Sequence, residues 1–345
     1  MKSKKNITIK TIAEMAGVAP STVSRVVTNS PGVGEKTREQ IWELIRKHNY
    51  QPNVNARNLV KQQLQAIGVL IPSRRSGFFD NPFFADVMMG AAEIAAERDH
   101  DIILYTGGKG NKKGSRALNL LRERKVDGLI AVGLRQDDPF LPLLRERGMQ
   151  VVLVNRRTED SEQAWVSVDN KHGAFQATHY LIDLGHERIG FIDGPSNIEI
   201  SSERREGYLK ALQGAGLVPD PQLIVEGDFD EESGYVCAQR LMTLKDPPSG
   251  IFGSNDLMAI GVLNFLRERG LRVPEDVSVM GFDNIHSCYH VSPPLSTVKL
   301  PAFQMGQISC NLALDLIEGV TVKEKGILLP TQLVIRQSTG KKLER

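Results

Sequence analysis

The apolar positions of the chain follow two different periods. Up to about residue 50 they recur every three or four residues: Ile9, Ile12, Ala13 and Ala16, then Val23, Val26 and Val27, then Ile41, Leu44 and Ile45. That spacing lines one face of a helix, and the punctuation agrees with it. Thr8 can cap a first helix that Gly17 ends. Pro20 and Ser21 can open a second, with proline in the first turn where its missing N–H costs nothing. A third runs from Glu35 to His48. Helix, tight glycine-containing turn, helix is the helix-turn-helix pattern. Residues 51–62, QPNVNARNLVKQ, can form a further short helix after Pro52, but they offer few apolar residues to bury, and a helix this short is marginal alone.

From Ala66 the pattern changes. AIGVLIP, DIILYT, GLIAV and QVVLVN are apolar runs of strand length, separated by helical patterns such as FADVMMGAAEIAAERD and PFLPLLRERG. After Asn155–Ala164 the alternation restarts, with RIGFIDG, QLIVEG, GIFGSN and VSVMGFD as strands between helical segments. Strand–helix alternation at this spacing predicts βαβ units and parallel sheets. The body therefore reads as two similar α/β lobes, closed by STVKLP, a helix from Ala302 to Glu318, and ILLPTQLVIRQ. The division expected is a head over 1–50, a hinge helix and linker over 51–65, and a core over 66–345. Within the core, one lobe takes about 66–167 and 298–326, the other about 168–297 and 327–340.

Charge sharpens this division. The chain carries +2 overall, yet residues 1–65 hold eleven Lys/Arg against four Glu, a balance of +7, so the remainder is at −5. A basic head on a mildly acidic body points to a polyanion as partner of the head alone. No apolar run approaches the ~20 residues that span a bilayer, and MKSKKNITIK lacks the apolar stretch of a secretory signal. Three widely spaced cysteines, 237, 288 and 310, make no disulfide framework, and a reducing cytoplasm is the expected compartment. The face of the second helix opposite its valines shows Ser21, Thr22, Ser24 and Arg25. Small hydroxyls and one long cation suit a helix that enters a major groove ~12 Å wide; the plainer alternative makes Ser21 a helix cap and Arg25 a surface charge.

The segments ITIKTIAEMAGVAPSTVSRVVTNSPGVGEKTREQI and NYQPNVNARNL resemble the head and hinge of the lactose-repressor (LacI/GalR) family of bacterial transcription regulators. The likeness continues through NPFFADVMMGAAEIA, VDGLIAVG, VSVDNKHGA, LGHERIGFIDGP, GIFGSNDLMAIGVL, VPEDVSVMGFDN, STVKLPAFQMG and LLPTQLVIRQST, which is nearly the whole chain. The resemblance implies a helix-turn-helix head, a hinge helix, and a two-lobed core like that of periplasmic sugar-binding proteins. It implies base reading by Pro20, Ser21 and Arg25, with further DNA contacts at Thr8, Ile9, Lys10, Thr22, Thr28, Asn29 and Thr37. Arg25 would make a bidentate contact to guanine. The family usually has Ser where Gly34 stands, and Gly caps almost as well. In the hinge, Leu59 would press into a central base step, with Asn53, Ala56 and Arg57 along the minor groove.

Ligands of α/β lobes bind beyond the carboxyl ends of strands. Asp169, Asn255 and Asp283 stand there, and Arg204 matches the family's ligand-clamping arginine. A guanidinium fork and carboxylates can hold a sugar's vicinal hydroxyls, and Phe78, Phe79, Phe83 and Trp165 could stack on its apolar face. Asp169 could equally be a helix cap, and Phe84 reads as core. YTGGKGNKKG fits neither phosphate-loop pattern and reads as a surface loop. His286, Cys288 and His290 cannot all share one helix face, and no fourth ligand is evident, so no metal is expected. No Ser–His–Asp arrangement stands in an elbow motif, and neither enzymatic activity nor a cofactor is expected.

The expected function is a DNA-binding transcriptional regulator, a repressor of carbohydrate-utilisation genes. It binds double-stranded operator DNA as a homodimer and is controlled by a small mono- or oligosaccharide effector, with no membrane partner. The alternatives are a regulator corepressed by a purine or a partner protein, and an α/β solute-binding protein or enzyme. No leucine heptads follow Gln337, so a coiled-coil tetramer is not expected.

Overall fold

A computed structural model describes residues 7–50, 64–71, 81–106, 125–135 and 140–343. The chain divides into two compact units, residues 1–65 and 66–345. The expected hinge helix, with Asn53, Ala56, Arg57 and Leu59, lies outside the described residues. So do Phe78, Phe79 and most of the YTGGKGNKKG stretch.

The first unit holds helices α1 (Ile9–Ala16), α2 (Pro20–Val27) and α3 (Glu35–Lys47). Ile12, Ala13, Val23, Val26, Ile41 and Ile45 close its core, the residues that the helical period brings to one side. Thr8 caps α1 by accepting from Thr11 N, and Gly17 ends it in the left-handed region at φ 63°. A side chain there would pay a steric cost, so the turn between α1 and α2 calls for glycine. Gly34 caps α3 without a side-chain hydrogen bond.

The second unit has two parallel sheets. The larger runs β11-β5-β4-β3-β1-β2, made of β1 (Ala66–Ile71), β2 (Asp101–Thr106), β3 (Gly128–Val132), β4 (Gln150–Val154), β5 (Ala164–Val168) and β11 (Gly326–Leu329). Helices α4 (Pro82–Glu97), α5 (Phe140–Glu146) and α10 (Ala302–Ile317) belong to this lobe. The smaller sheet runs β7-β6-β8-β9, made of β6 (Ile189–Asp193), β7 (Ile224–Glu226), β8 (Gly250–Gly253) and β9 (Ser278–Met280). It carries α6 (Asn170–Asp183), α7 (Glu199–Gly214), α8 (Glu231–Met242) and α9 (Asp256–Glu268).

The lobes are joined by more than loops. A two-stranded ribbon pairs β10 (Thr297–Lys299) with β12 (Gln332–Val334), and bridges at Met280–Ser296 and Asp283–Lys299 tie β10 to the end of the smaller sheet. One buried apolar cluster runs from Ile67, Val87 and Val166 to Phe191, Phe252 and Phe282, so both lobes share core. The sequence boundary at 326/327 needs correction. β11 pairs in parallel with β5 from Gly326↔Trp165 to Leu329↔Val168, so the chain leaves the first lobe after Leu329. An apolar strand such as ILLP carries no mark of which sheet it will extend.

Candidate functional site

On the head, Ala19 is the N-cap of α2 and makes no side-chain cap bond, so Ser21 is not the cap. Pro20, Ser21 and Arg25 are exposed while Val23 and Val26 are buried. Among the described residues the Arg25 guanidinium has no partner; it extends beside Gly32. Thr8, Lys10 and Asn29 are exposed as well, and Ile9, Thr22, Thr28 and Thr37 are half-buried. Thr8 is committed to capping α1, and Thr28 and Asn29 are also engaged within the head. Thr28 Oγ1 donates to Ser24 O at 2.9 Å, and Arg38 Nη1 donates to Asn29 Oδ1 at 2.9 Å. The bond from Arg38 holds Asn29 at its left-handed φ of 52°, a conformation asparagine accepts better than most residues. What remains is a polar face on which Arg25 is uncommitted among the described residues.

In the core, α7 carries Arg204 into the seam of the lobes. The helix lies close on α6 because position 207 is glycine; a Cβ there would stand 2.2 Å from Lys171 O. Arg204 is almost fully buried. Its Nε donates to Asn170 Oδ1 at 2.9 Å, Nη1 donates to Ser254 O, and Nη2 lies 3.5 Å from Asp283 Oδ1. The guanidinium carbon sits 3.8 Å over the Phe282 ring, a favourable cation–π geometry. Burial lowers the Arg204 pKa, while Asp283, Glu203, Asp256 and Asp193 oppose the shift. Asn170 passes the network on, donating from Nδ2 to Glu203 Oε2 at 2.8 Å. Burial raises the Glu203 pKa.

Arg204, Asp283, Asn255 and Phe83 line one pocket, together with Asn81, Phe84, Gly133, Asn155, Ile200 and Phe229. Four predicted residues thus converge. Asn255 is there in a supporting role: it caps α9 through Met258 N at 3.0 Å and donates to Phe229 O at 3.0 Å. Asp169 caps α6 by accepting from His172 N at 2.9 Å, and it is not in the pocket wall. Trp165 does not reach the pocket either. It packs with Leu129, Leu153 and Leu144 on the other face of the sheet, beneath Arg157. Phe84 is core, as expected, and also borders the pocket.

Asn155 and Asp256 were not anticipated. Asn155 follows β4, is buried at φ 55°, and its Oδ1 has no hydrogen-bond partner among the described residues. A buried acceptor left unmatched in a pocket wall is suited to a ligand donor. Asp256 opens α9 and is fully buried. It accepts from Thr297 Oγ1 at 2.5 Å and Ile285 N at 2.8 Å, the latter two residues beyond Asp283. A roomier depression of about 880 Å³ lies over Glu226, Asp228, Asp230, Glu231 and Glu232. It shares no residue with the Arg204 pocket. Buried, converging polar groups with perturbed pKa values mark the Arg204 pocket as the better candidate.

Asp193 ends β6 and is fully buried. It accepts from Arg205 Nε at 2.5 Å and Gly194 N at 2.8 Å. Burial nevertheless lifts its pKa from an ordinary 3.8 to about 6. The native state therefore holds a proton that the unfolded chain has lost. The resulting penalty is absent below pH 3.8, grows through the interval, and is complete above pH 6. It amounts to about 3 kcal/mol. In Asp193→Asn the penalty is gone. Urea unfolding of both proteins should show the difference in stability moving in the variant's favour by up to that amount between pH 4 and pH 7. A difference that stays flat with pH removes the assignment.

A three-helix DNA-binding head and a two-lobed α/β core with a polar pocket at the seam define a ligand-controlled DNA-binding regulator. Comparison with known proteins gives the family. Residues 8–53 match the bacterial regulatory proteins of the lacI family, and residues 178–339 match the periplasmic binding protein-like domain. The transcriptional regulator CelR of Thermobifida fusca is 34% identical over 340 residues, covering 98% of this chain and all of CelR. A structure of the CelR–cellobiose complex superposes with TM-score 0.76 at 33% identity, covering 96% of this chain and 99% of that one. The lac repressor dimer bound to operator and the anti-inducer ONPF gives TM-score 0.85 at 28% identity, covering 97% and 100%. The chain belongs to the lacI family of transcriptional regulators.

Proposed function

We propose that this protein is a homodimeric repressor of carbohydrate-utilisation genes whose operator affinity is set by a sugar-like effector held around Arg204. The single observation that carries the effector reading is the buried Arg204 network, with Asp283 and the unmatched Asn155 carbonyl in the same pocket wall. The arginine N–H groups not used by Asn170, Ser254 and Asp283 can donate to sugar hydroxyls, Asn155 and Asp283 can accept from them, and Phe83 offers an apolar face. Cellobiose in the CelR complex supports the ligand class.

The pocket encloses about 30 Å³, against the ~300 Å³ or more of small-molecule sites. Sugar entry therefore requires the lobes to part. Closure on effector and opening without it give two states of the core, and differential operator affinity follows as a coupling free energy. Two heads related by a two-fold axis would read a pseudo-palindromic operator, as the lac repressor dimer is bound to its operator. The reading places the chain in the cytoplasm and assigns it no catalysis; no helix among the described residues is long and apolar enough to cross a membrane.

Selecting bound duplexes from a random pool, then titrating sugars and purines by calorimetry, tests both halves. Arg25→Ala should lose about 1–3 kcal/mol of sequence discrimination, with the fold intact because the side chain is exposed. Unchanged discrimination would remove the recognition role. Heat from a purine and none from any sugar would overturn the effector class and leave the DNA function standing.

A further inference from the structure

The turn that follows Asp283 carries a feature that neither the operator nor the effector uses. Residues His286–Tyr289 form one 3₁₀ turn, and His290 follows in helical conformation. His286 and His290 are exposed, and their Nε2 atoms stand 3.0 Å apart with the rings at 63°. Cys288, between them, points the other way: it is fully buried, and its thiol is hydrogen-bonded to Asp256. We propose that His286 and His290 form a two-imidazole chelate for a divalent transition cation of the Zn²⁺, Ni²⁺ or Cu²⁺ class.

The geometry is close to what such an ion needs. Two metal–nitrogen bonds of about 2.05 Å spanning a 3.0 Å separation close an angle of about 94°. That is the angle between neighbouring positions of a square-planar or octahedral site, and a tetrahedral site needs only a few tenths of an ångström more. Imidazole suits these three cations, whereas Mg²⁺ and Ca²⁺ take oxygen ligands. In the metal-free pair one Nε2–H donates to the other Nε2. When the cation binds, the donor ring's proton moves from Nε2 to its Nδ1 through water, so both rings present a bare Nε2 and bind as neutral ligands.

The site is also built before the ion arrives. Asp256 holds Ile285 N at 2.8 Å, Cys288 N donates to Ile285 O at 3.0 Å, and His290 N donates to Ser287 O at 3.0 Å. Arg336 lies 4.1 Å over the Tyr289 ring and donates to Asn284 Oδ1 and Leu295 O, both at 2.6 Å, so it braces the turn from beneath. Little ordering entropy is left for the metal to supply. No group of three or more His, Cys, Asp or Glu among the described residues is placed to hold a metal, so water completes the coordination. Because Asp283 stands at the head of this loop, an ion at its far end stiffens the backbone that carries an effector-site carboxylate.

Titration of the full, untagged chain with Zn²⁺ and Ni²⁺ by calorimetry tests this. His286→Ala and His290→Ala should each weaken the affected site about tenfold or more. His179→Ala, which removes an exposed imidazole paired with Asp183 at 3.0 Å, should leave it unchanged. Hydrogen exchange should slow over residues 283–290 when Zn²⁺ is added, and not in the double variant. Equal binding by the native chain and the double variant, or a loss that follows His179 instead, overturns the proposal.

Discussion

Arg204→Ala is expected to destabilise the core by about 3–5 kcal/mol, the cost of removing one partner from a buried charged pair. Three effects act together. Asp283 loses its cation at 3.5 Å, Asn170 Oδ1 and Ser254 O lose their donor, and the Phe282 ring loses the guanidinium above it. Each unsatisfied buried polar group costs about 1–3 kcal/mol, and water that enters the pocket offsets part of the sum. The urea midpoint of the core transition reports the loss, and a change below about 1 kcal/mol would show that the network is not coupled as described. Arg204→Lys separates stability from response. It keeps a cation near Asp283, but one ammonium cannot reach three partners fixed in the plane of a fork. Operator binding without effector should survive in Arg204→Lys while effector heat disappears.

The head was legible almost in full, because every feature it needs is local. Helical spacing named its buried residues, Thr8 and Gly17 marked the ends of α1, and the exposed face of α2 is the one the period leaves over. The two-lobed body was legible for the same reason, as strand-length runs alternating with helices. The pocket was legible at the strand ends, where Asp283 and Asn255 stand, and through the family resemblance, which supplied Arg204. Arg204, Asp283 and Phe83 meet there, and Asn155 obeys the same strand-end rule but was passed over.

Trp165 failed on strand parity. Ala164, Val166 and Val168 face the shared core, so the residue between Ala164 and Val166 must face away. Asp256 reads locally as an acid in the first turn of a helix, a common placement. Its partners, at 285 and 297, are far along the chain and invisible to any local pattern. His286 and His290 illustrate the converse. With Cys288 they share no helix face, yet the 3₁₀ turn brings the two imidazoles together and leaves the thiol inside.

Asp256→Ala is the second substitution with a large expected effect, again about 3–5 kcal/mol, and its consequence is directional. The loop after β9 takes a backbone path that side chains resist: Asp283 has φ 122° and Asn284 φ 62°. Residues held in such regions cost on the order of 1–3 kcal/mol each and persist only when their surroundings impose them. The Asp256 carboxylate imposes this one. It takes Thr297 Oγ1 at 2.5 Å, Ile285 N at 2.8 Å, the Cys288 thiol and Asn284 N–H, and so binds the far side of the strained pair to the ribbon and to the start of α9. Burial raises its pKa, and these donors oppose the shift. Asp256→Asn tests the cause apart from the cavity that alanine leaves. The amide has the same shape, but whichever way it is turned, its NH₂ meets donors instead of accepting from them. The expected result is faster amide exchange confined to residues 283–290 and weakened effector binding, with operator affinity in the absence of effector unchanged. Exchange that rises evenly through both lobes would make Asp256 a general core residue, and would remove it as the clamp that aims Asp283 at the pocket.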